Sequence, residues 1–203
     1  QQSCVLAKVS GGQVTALDNH PPFLADLARL KASAGQAVAE KITPVLGDMF
    51  ALDFPDQSFD LLWSEGAIYI IGFERGLREW KRLLKPGGAI AVTEACWLVE
   101  DPPAETWDLW QREYPLIRSV AHNLEAVARC GYRLLGHFTL PQSAWWDQYY
   151  TPLQARLPLL RQKYAGNAEM QRLLDANQEE IDIYRKYGHT YGYEFFVMQK
   201  REE

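Results

Sequence analysis

Between residues 13 and 95, short apolar runs alternate with amphipathic helical stretches. Gln13 to Asp18, Ile42 to Leu46, Phe59 to Trp63 and Ala89 to Ala95 read as strands, and the last is near-continuously apolar, as in a strand covered on both faces. Pro21 and Pro22 open a helix whose Phe23, Leu27, Leu30 and Ala34 keep helical spacing. From Phe73 to Leu84, the residues Phe73, Leu77, Trp80 and Leu84 share one face, with Arg75, Arg78, Lys81 and Arg82 largely on the other. Lys85-Pro86-Gly87-Gly88 ends that helix, since proline cannot continue it and glycine permits the reversal. Strands and helices in this order predict an α/β chain with a mainly parallel sheet and helices on both faces.

The pattern changes after residue 100. Ala104 to Ile117 and about Asn123 to Cys130 read as helices, and Gly131 leads into a strand from Tyr132 to Leu140. Residues 141 to 188 are mostly helical and rich in aromatic and polar side chains, and Tyr191 to Gln199 closes the chain as a strand. At the other end, Gln2 to Val9 forms a helix stopped by Gly11 and Gly12. No repeat or low-complexity linker interrupts the 203 residues. Residues 1–203 are therefore expected to form one domain with a helical, aromatic-rich insertion at about 141–190.

Composition narrows the function. The net charge is −5, with no stripe of Lys and Arg, which argues against a nucleic-acid ligand, since that needs phosphate neutralisation. Cys4, Cys96 and Cys130 are far apart and odd in number, which suits a reducing cytoplasm. No apolar run approaches the ~20 residues that span a bilayer; Ala89 to Val99 comes nearest and is interrupted by Thr93 and Glu94. His20, His122, His137 and His189 show no metal-ligand spacing, so no metal is expected.

In an open α/β sheet, ligands bind beyond the carboxyl ends of the strands. Asp18 closes the first strand, Asp48 follows the second, and Ser64 and Glu65 follow the third. Taken singly, Asp18 also reads as a cap or loop carboxylate, Gly47-Asp48 as a turn pair and Met49 as an ordinary apolar residue. Acids at successive strand ends favour a nucleoside site. An NAD(P)-dependent Rossmann oxidoreductase would share the acid at Asp18 without predicting the second one.

The runs V-T-A-L-D ending at Asp18, G-D-M from Gly47 to Met49, L-D-F-P-D-Q-S-F-D from Leu52 to Asp60 and L-L-K-P-G-G from Leu83 to Gly88 resemble class I S-adenosylmethionine-dependent methyltransferases. The likeness is strongest to the small-molecule group that includes the ubiquinone and menaquinone biosynthesis methyltransferases. W-S-E-G-A-I-Y-I-I-G-F-E-R-G, from Trp63 to Gly76, is similar to a less characterised bacterial branch of that group. The resemblance implies a Rossmann-like fold with an antiparallel last strand and S-adenosylmethionine as cofactor. Asp18 would hold the ribose hydroxyls with Asn19 beside it, and Asp48 would accept from the adenine amino group with Met49 against the ring. Ser64 and Glu65 would border the methionine portion.

The resemblance also implies a strand and glycine-rich turn that this sequence lacks, because Gly11 and Gly12 follow a helix and precede a strand. The expectation is that the first strand of the sheet is missing from this chain and lies upstream of Gln1. Without it, a non-catalytic binding protein is the alternative. The acceptor would be a small molecule, with no nucleic acid and no membrane span, and a homodimer is one assembly open to the chain. A base is required only if the acceptor must lose a proton; Glu65 and Tyr69 are the candidates, with His122 and His137 behind them. Gly66 to Tyr69 and Trp145, Trp146, Tyr149 and Tyr150 are expected to line the acceptor pocket, or else those rings pack the insertion onto the sheet. Trp97, Trp107 and Trp110 read as packing.

Overall fold

The structure, a computed structural model, describes residues 1–201. The chain divides into two compact units, the first spanning Gln1–Phe54 and the second starting at Pro55.

In the first unit, helix α1 (Gln2–Ser10) ends at Gly11, which takes the left-handed conformation at φ 68° and donates its N–H to the Ala7 carbonyl. Strand β1 (Val14–Asp18), helix α2 (Pro21–Ser33), the short helix α3 (Gln36–Ala39) and strand β2 (Ile42–Leu46) follow. The two strands pair in parallel, with Val14 opposite Ile42 and Asp18 opposite Leu46. Ala7, Leu27 and Ile42 form the core, with Cys4, Val14, Ala16 and Val38 packed around them. Of the apolar face expected on α2, Leu27 is buried while Phe23 and Leu30 are exposed. A pair of strands offers little surface on which a whole helix face can be buried.

In the second unit, strand β3 (Phe59–Ser64) leads through a 3₁₀ turn, Ile68–Ile70, to helix α4 (Phe73–Trp80) and the long strand β4 (Leu84–Trp97). Helix α5 (Ala104–Glu113), strand β5 (Arg118–Ser119), helix α6 (Val120–Arg129) and strand β6 (Tyr132–Thr139) come next. The helical stretch then resolves into α7 (Ser143–Trp145), a π turn (Trp146–Tyr150), α8 (Thr151–Lys163) and α9 (Ala168–Tyr187), before the final strand β7 (Tyr191–Lys200). The sheet order is β3-β4-β7-β6, with β5 added to β4. β3 and β5 run parallel to β4, whereas β7 runs antiparallel to both β4 and β6, as expected.

Alternate residues of a strand point to opposite faces, and β7 shows both faces covered. Phe196 meets Phe73 of α4 at 5.2 Å between ring centroids. Tyr191 lies among Trp110 of α5, Trp145 of α7 and Tyr184 of α9.

Two boundaries differ from expectation. α4 stops at Trp80 and a 3₁₀ turn carries the chain to Leu84, which already pairs with Phe59; Lys85 to Gly88 form an irregularity within β4. α5 stops at Glu113, because Tyr114 precedes Pro115 and a residue before proline is pushed out of the helical region; its φ is −153°. Among the described residues, no helix is long and apolar enough to cross a membrane.

Gly76 of α4 lies against Ile68, where an added Cβ would stand 2.8 Å from Ile68 Cγ1 and 3.2 Å from Ile71 Cγ2. Overpacking a filled core costs about 1–3 kcal/mol. Gly76→Ala should lower the urea midpoint by a corresponding amount at unchanged m-value; a midpoint equal to that of the parent protein would show that this contact is loose.

Candidate functional site

Parallel pairing brings the carboxyl ends of β1 and β2 to one edge, and Asp18 and Asp48 with them. The Gly47 N–H donates to the Asp18 carbonyl at 3.1 Å, so the chain leaving β2 is tied to the end of β1. Asp18 is half-buried, and its Oδ1 accepts from the His20 N–H at 2.8 Å. Asp48 is exposed, and its Oδ1 accepts from the Phe50 N–H at 3.0 Å. Both acids thus make the local turn that their residue type favours, and each turn uses one carboxylate oxygen. Gly47 sits close between them: a Cβ there would stand 2.9 Å from Leu17 Cδ1 and would make that side chain shift. Asn19 is exposed beside Asp18, and Met49 is half-buried beside Asp48.

Ser64 and Glu65 belong to the second unit. Ser64 ends β3 half-buried, and the exposed Glu65 accepts from Trp63 Nε1 at 2.6 Å. The next amide, Gly66 N–H, donates to Thr93 Oγ1 at 2.7 Å and holds this loop on β4. Tyr69 is 37% exposed and meets Tyr114 edge-on, with centroids 5.6 Å apart. Of the rings expected at the acceptor pocket, Trp145 and Tyr150 are buried in a core cluster with Tyr184 and Tyr191. Trp146 packs against that cluster, and Tyr149 is 45% exposed. Trp97 belongs to that cluster and stacks on Trp107, which is 46% exposed, at 5.9 Å, while Trp110 packs against the cluster. His122 donates its backbone N–H to Ser119 Oγ at the start of α6, and His137 Nδ1 contacts Glu194.

Glu94, in the middle of β4, stands out in the structure although the sequence motifs assign it no role. It is 1% exposed, and its Oε1 accepts from the Tyr114 hydroxyl at 2.7 Å. Its Oε2 is buried with no hydrogen-bond partner among the described residues. Burial pushes its carboxyl up to about 7, against a small lowering by the Tyr114 hydroxyl. Directly opposite on β7 stands Glu194, 2% exposed, held by His137 and by the Thr139 hydroxyl at 2.6 Å. Beside them Asn123 Nδ2 donates to Cys96 Sγ at 3.2 Å, and burial pushes the Cys96 thiol far up. Another acid, Glu180 of α9, is half-buried, accepts from the Tyr150 hydroxyl at 2.9 Å and is likewise raised by burial. The signal for Glu94 was present in the sequence, as an acid inside an otherwise apolar strand. Among the described residues, no group of three His, Cys, Asp or Glu side chains could hold a metal ion.

Comparison with known proteins bears directly on this arrangement. Residues 1–92 match the methyltransferase domain family, a span that contains Asp18, Asp48, Ser64 and Glu65. A sterol 24-C-methyltransferase, ERG6B of Gibberella zeae, is 31% identical over 65% of this chain and 36% of its own length. The ubiquinone/menaquinone biosynthesis C-methyltransferase UbiE of a Ruegeria species is 36% identical over 52% of this chain and 42% of its own. This chain thus covers well under two thirds of these curated relatives. A SAM-dependent methyltransferase from Geobacter sulfurreducens, solved with S-adenosyl-L-homocysteine, superposes with a TM-score of 0.77 at 19% identity, over 98% of this chain and 79% of that one. The chain shares the fold of that solved structure over nearly its whole length, and residues 1–92 resemble the methyltransferase domain family in sequence.

The environment of Glu94 sets a pH dependence. A carboxyl raised from 4.5 to about 7 binds more protons in the folded state than in the unfolded state between those values. Stability contributed at this site is therefore greatest at low pH and falls as pH rises through 7. The change is on the order of 3 kcal/mol. Glu94→Gln should leave the unfolding midpoint nearly unchanged at pH 4, below the unfolded value, and raise it at pH 8; an equal effect at both would contradict a buried ionisable Glu94.

Proposed function

We propose that this protein transfers the methyl group of S-adenosylmethionine to a small-molecule acceptor. The reading is carried by one coincidence: the segment matching the methyltransferase domain family is the one in which two acids end adjacent parallel strands. A ribose diol donates two hydrogen bonds and an adenine amino group donates as well, so carboxylates are the fitting acceptors. Asp18 takes the ribose hydroxyls, with Asn19 beside it; Asp48 takes the amino group, with Met49 against the ring. Ser64 and Glu65, in the second unit, are assigned to the methionine portion on the family resemblance.

The cofactor, when bound, supplies an electrophilic methyl group. What falls to the chain is to bind, to orient the acceptor at near-attack distance and to exclude water. Glu65 and Tyr69 are the groups proposed to take a proton where the acceptor has one to lose. Residues 1–203 are read as one domain with the insertion at about 141–190, and the free state of Cys4, Cys96 and Cys130 supports a cytoplasmic setting.

Calorimetry with S-adenosylhomocysteine tests the assignment. A hydrogen bond to a charged group contributes about 1.5–3 kcal/mol, so Asp18→Ala and Asp48→Ala should each weaken binding about tenfold or more. Parent-like affinity in both variants would refute the site.

A further inference from the structure

Glu94 sits where β4 changes neighbours. β3 pairs with β4 as far as Ser64, opposite Val92, and β5 begins at Arg118, opposite Cys96. The chain leaving β3 and the chain entering β5 therefore flank Glu94, at the carboxyl end of a parallel pair, where α/β sheets hold their ligands. Adjacent residues of β4 hold both segments. Thr93 Oγ1 accepts from the Gly66 N–H at 2.7 Å, and Glu94 Oε1 accepts from the Tyr114 hydroxyl at 2.7 Å. The two segments then meet through their rings. Tyr69 stands edge-on to Tyr114 at an interplanar angle of 71°, with centroids 5.6 Å apart.

Along this series of contacts the side chains pass from buried to exposed. Glu94 and Tyr114 are buried, whereas Tyr69 is exposed although its neighbour Ile68 is fully buried. The Tyr114 N–H donates to the Trp110 carbonyl at 2.8 Å, and the Tyr114 carbonyl accepts from the Ile117 N–H at 3.1 Å. The backbone of both segments is thus tied down, and what Glu94 adds is the direction of the Tyr114 ring. An edge-to-face pair depends on that direction. A leucine would fill this place in β4 without the desolvation cost of a carboxyl group. The acid supplies an acceptor for the Tyr114 hydroxyl instead. Polar groups on the neighbouring elements are engaged elsewhere: Glu194 of β7 by His137 and Thr139 of β6, and Cys96 of β4 by Asn123 of α6. Arg118 of β5 donates to the carbonyls of Pro115 and Ile117.

We propose that Glu94 is a positioning residue for methyl transfer: through the Tyr114 hydroxyl it fixes the ring against which Tyr69 is set. Tyr69 is one of the two groups assigned to take a proton from the acceptor, so its part in this rests on the methyl-transfer reading. Glu94 touches neither cofactor nor acceptor on this account and acts only through Tyr114.

The test follows tyrosine ring resonances by NMR, in protein carrying isotope-labelled tyrosine, from pH 5 to pH 9. The Tyr69 ring signals should shift with one inflection near 7, as Glu94 ionises and its hold on the Tyr114 hydroxyl strengthens. Glu94→Gln, which still accepts from that hydroxyl, should keep the Overhauser contact between the two rings and abolish the inflection. Glu94→Leu and Tyr114→Phe should each weaken that contact about threefold or more. Unchanged signals of Tyr132, whose hydroxyl donates to the Leu77 carbonyl, certify the fold in each variant. Where Glu94→Leu disturbs Tyr132 as well, the Glu94→Gln profile decides alone. S-adenosylhomocysteine is titrated calorimetrically into the same preparations, and the variants should bind it within about twofold of the parent. A ring contact that persists in Glu94→Leu, or an inflection that survives Glu94→Gln, would overturn the positioning role and leave methyl transfer standing. A parent protein that does not bind S-adenosylhomocysteine would overturn methyl transfer, and with it Tyr69's part in the reaction, even where the ring signals behave as expected.

Discussion

The parallel pairing of β1 with β2 is the constraint from which the functional reading descends. Parallel strands leave their sheet at the same edge, whereas an antiparallel pair would send its carboxyl ends in opposite directions. The register places Asp18 opposite Leu46, two residues before Asp48. The bond from the Gly47 amide to the Asp18 carbonyl then ties the two exits together. The turns at His20 and Phe50 fix one oxygen of each carboxylate, and on the proposed reading that pre-orientation lowers the ordering cost of binding. Two acids far apart in sequence become one pair through backbone geometry alone.

In the second unit, the antiparallel pairing of β4 with β7 does comparable work with the opposite energetic sign. It sets Glu94 against Glu194 in a nearly dry interior, where burial disfavours the ionised form of Glu94. The aromatic cluster built from α5, α7, the π turn and α9 closes over the other face of these strands. Apolar burial there offsets what the acids cost. Groups with displaced ionisation collect at functional sites more than elsewhere, so the acids are the place to look for a role of the insertion.

Much of this was legible in the sequence, for identifiable reasons. Strands β1 to β3 showed as apolar runs closed by Asp18, by Gly47-Asp48 and by Ser64-Glu65, and these punctuation residues also carry the proposed cofactor contacts. The ends of α4 and α5 do not show in the apolar spacing. The apolar spacing continues through Leu83 and Leu84, which are buried for a different reason than a helix face, and in α5 the Tyr114-Pro115 step, not the apolar spacing, sets the end. Glu94 was visible as an anomaly, yet its meaning depends on Tyr114 and Glu194, which only the folded chain brings near. In the insertion, the rings could be recognised but not sorted. The π turn shifts the angular spacing, so Trp145 and Tyr150 go inward while Tyr149 faces out.

The most direct measurement is an NMR titration of the amide resonances with S-adenosylhomocysteine. Ligand seated on the two carboxylates must disturb the amides of His20 and Phe50, which donate to those same carboxylates. The account predicts the largest shifts at residues 18–20 and 48–50, saturating together with one dissociation constant. Shifts confined to other segments, or two sets saturating at different concentrations, would contradict a single nucleoside held by both acids.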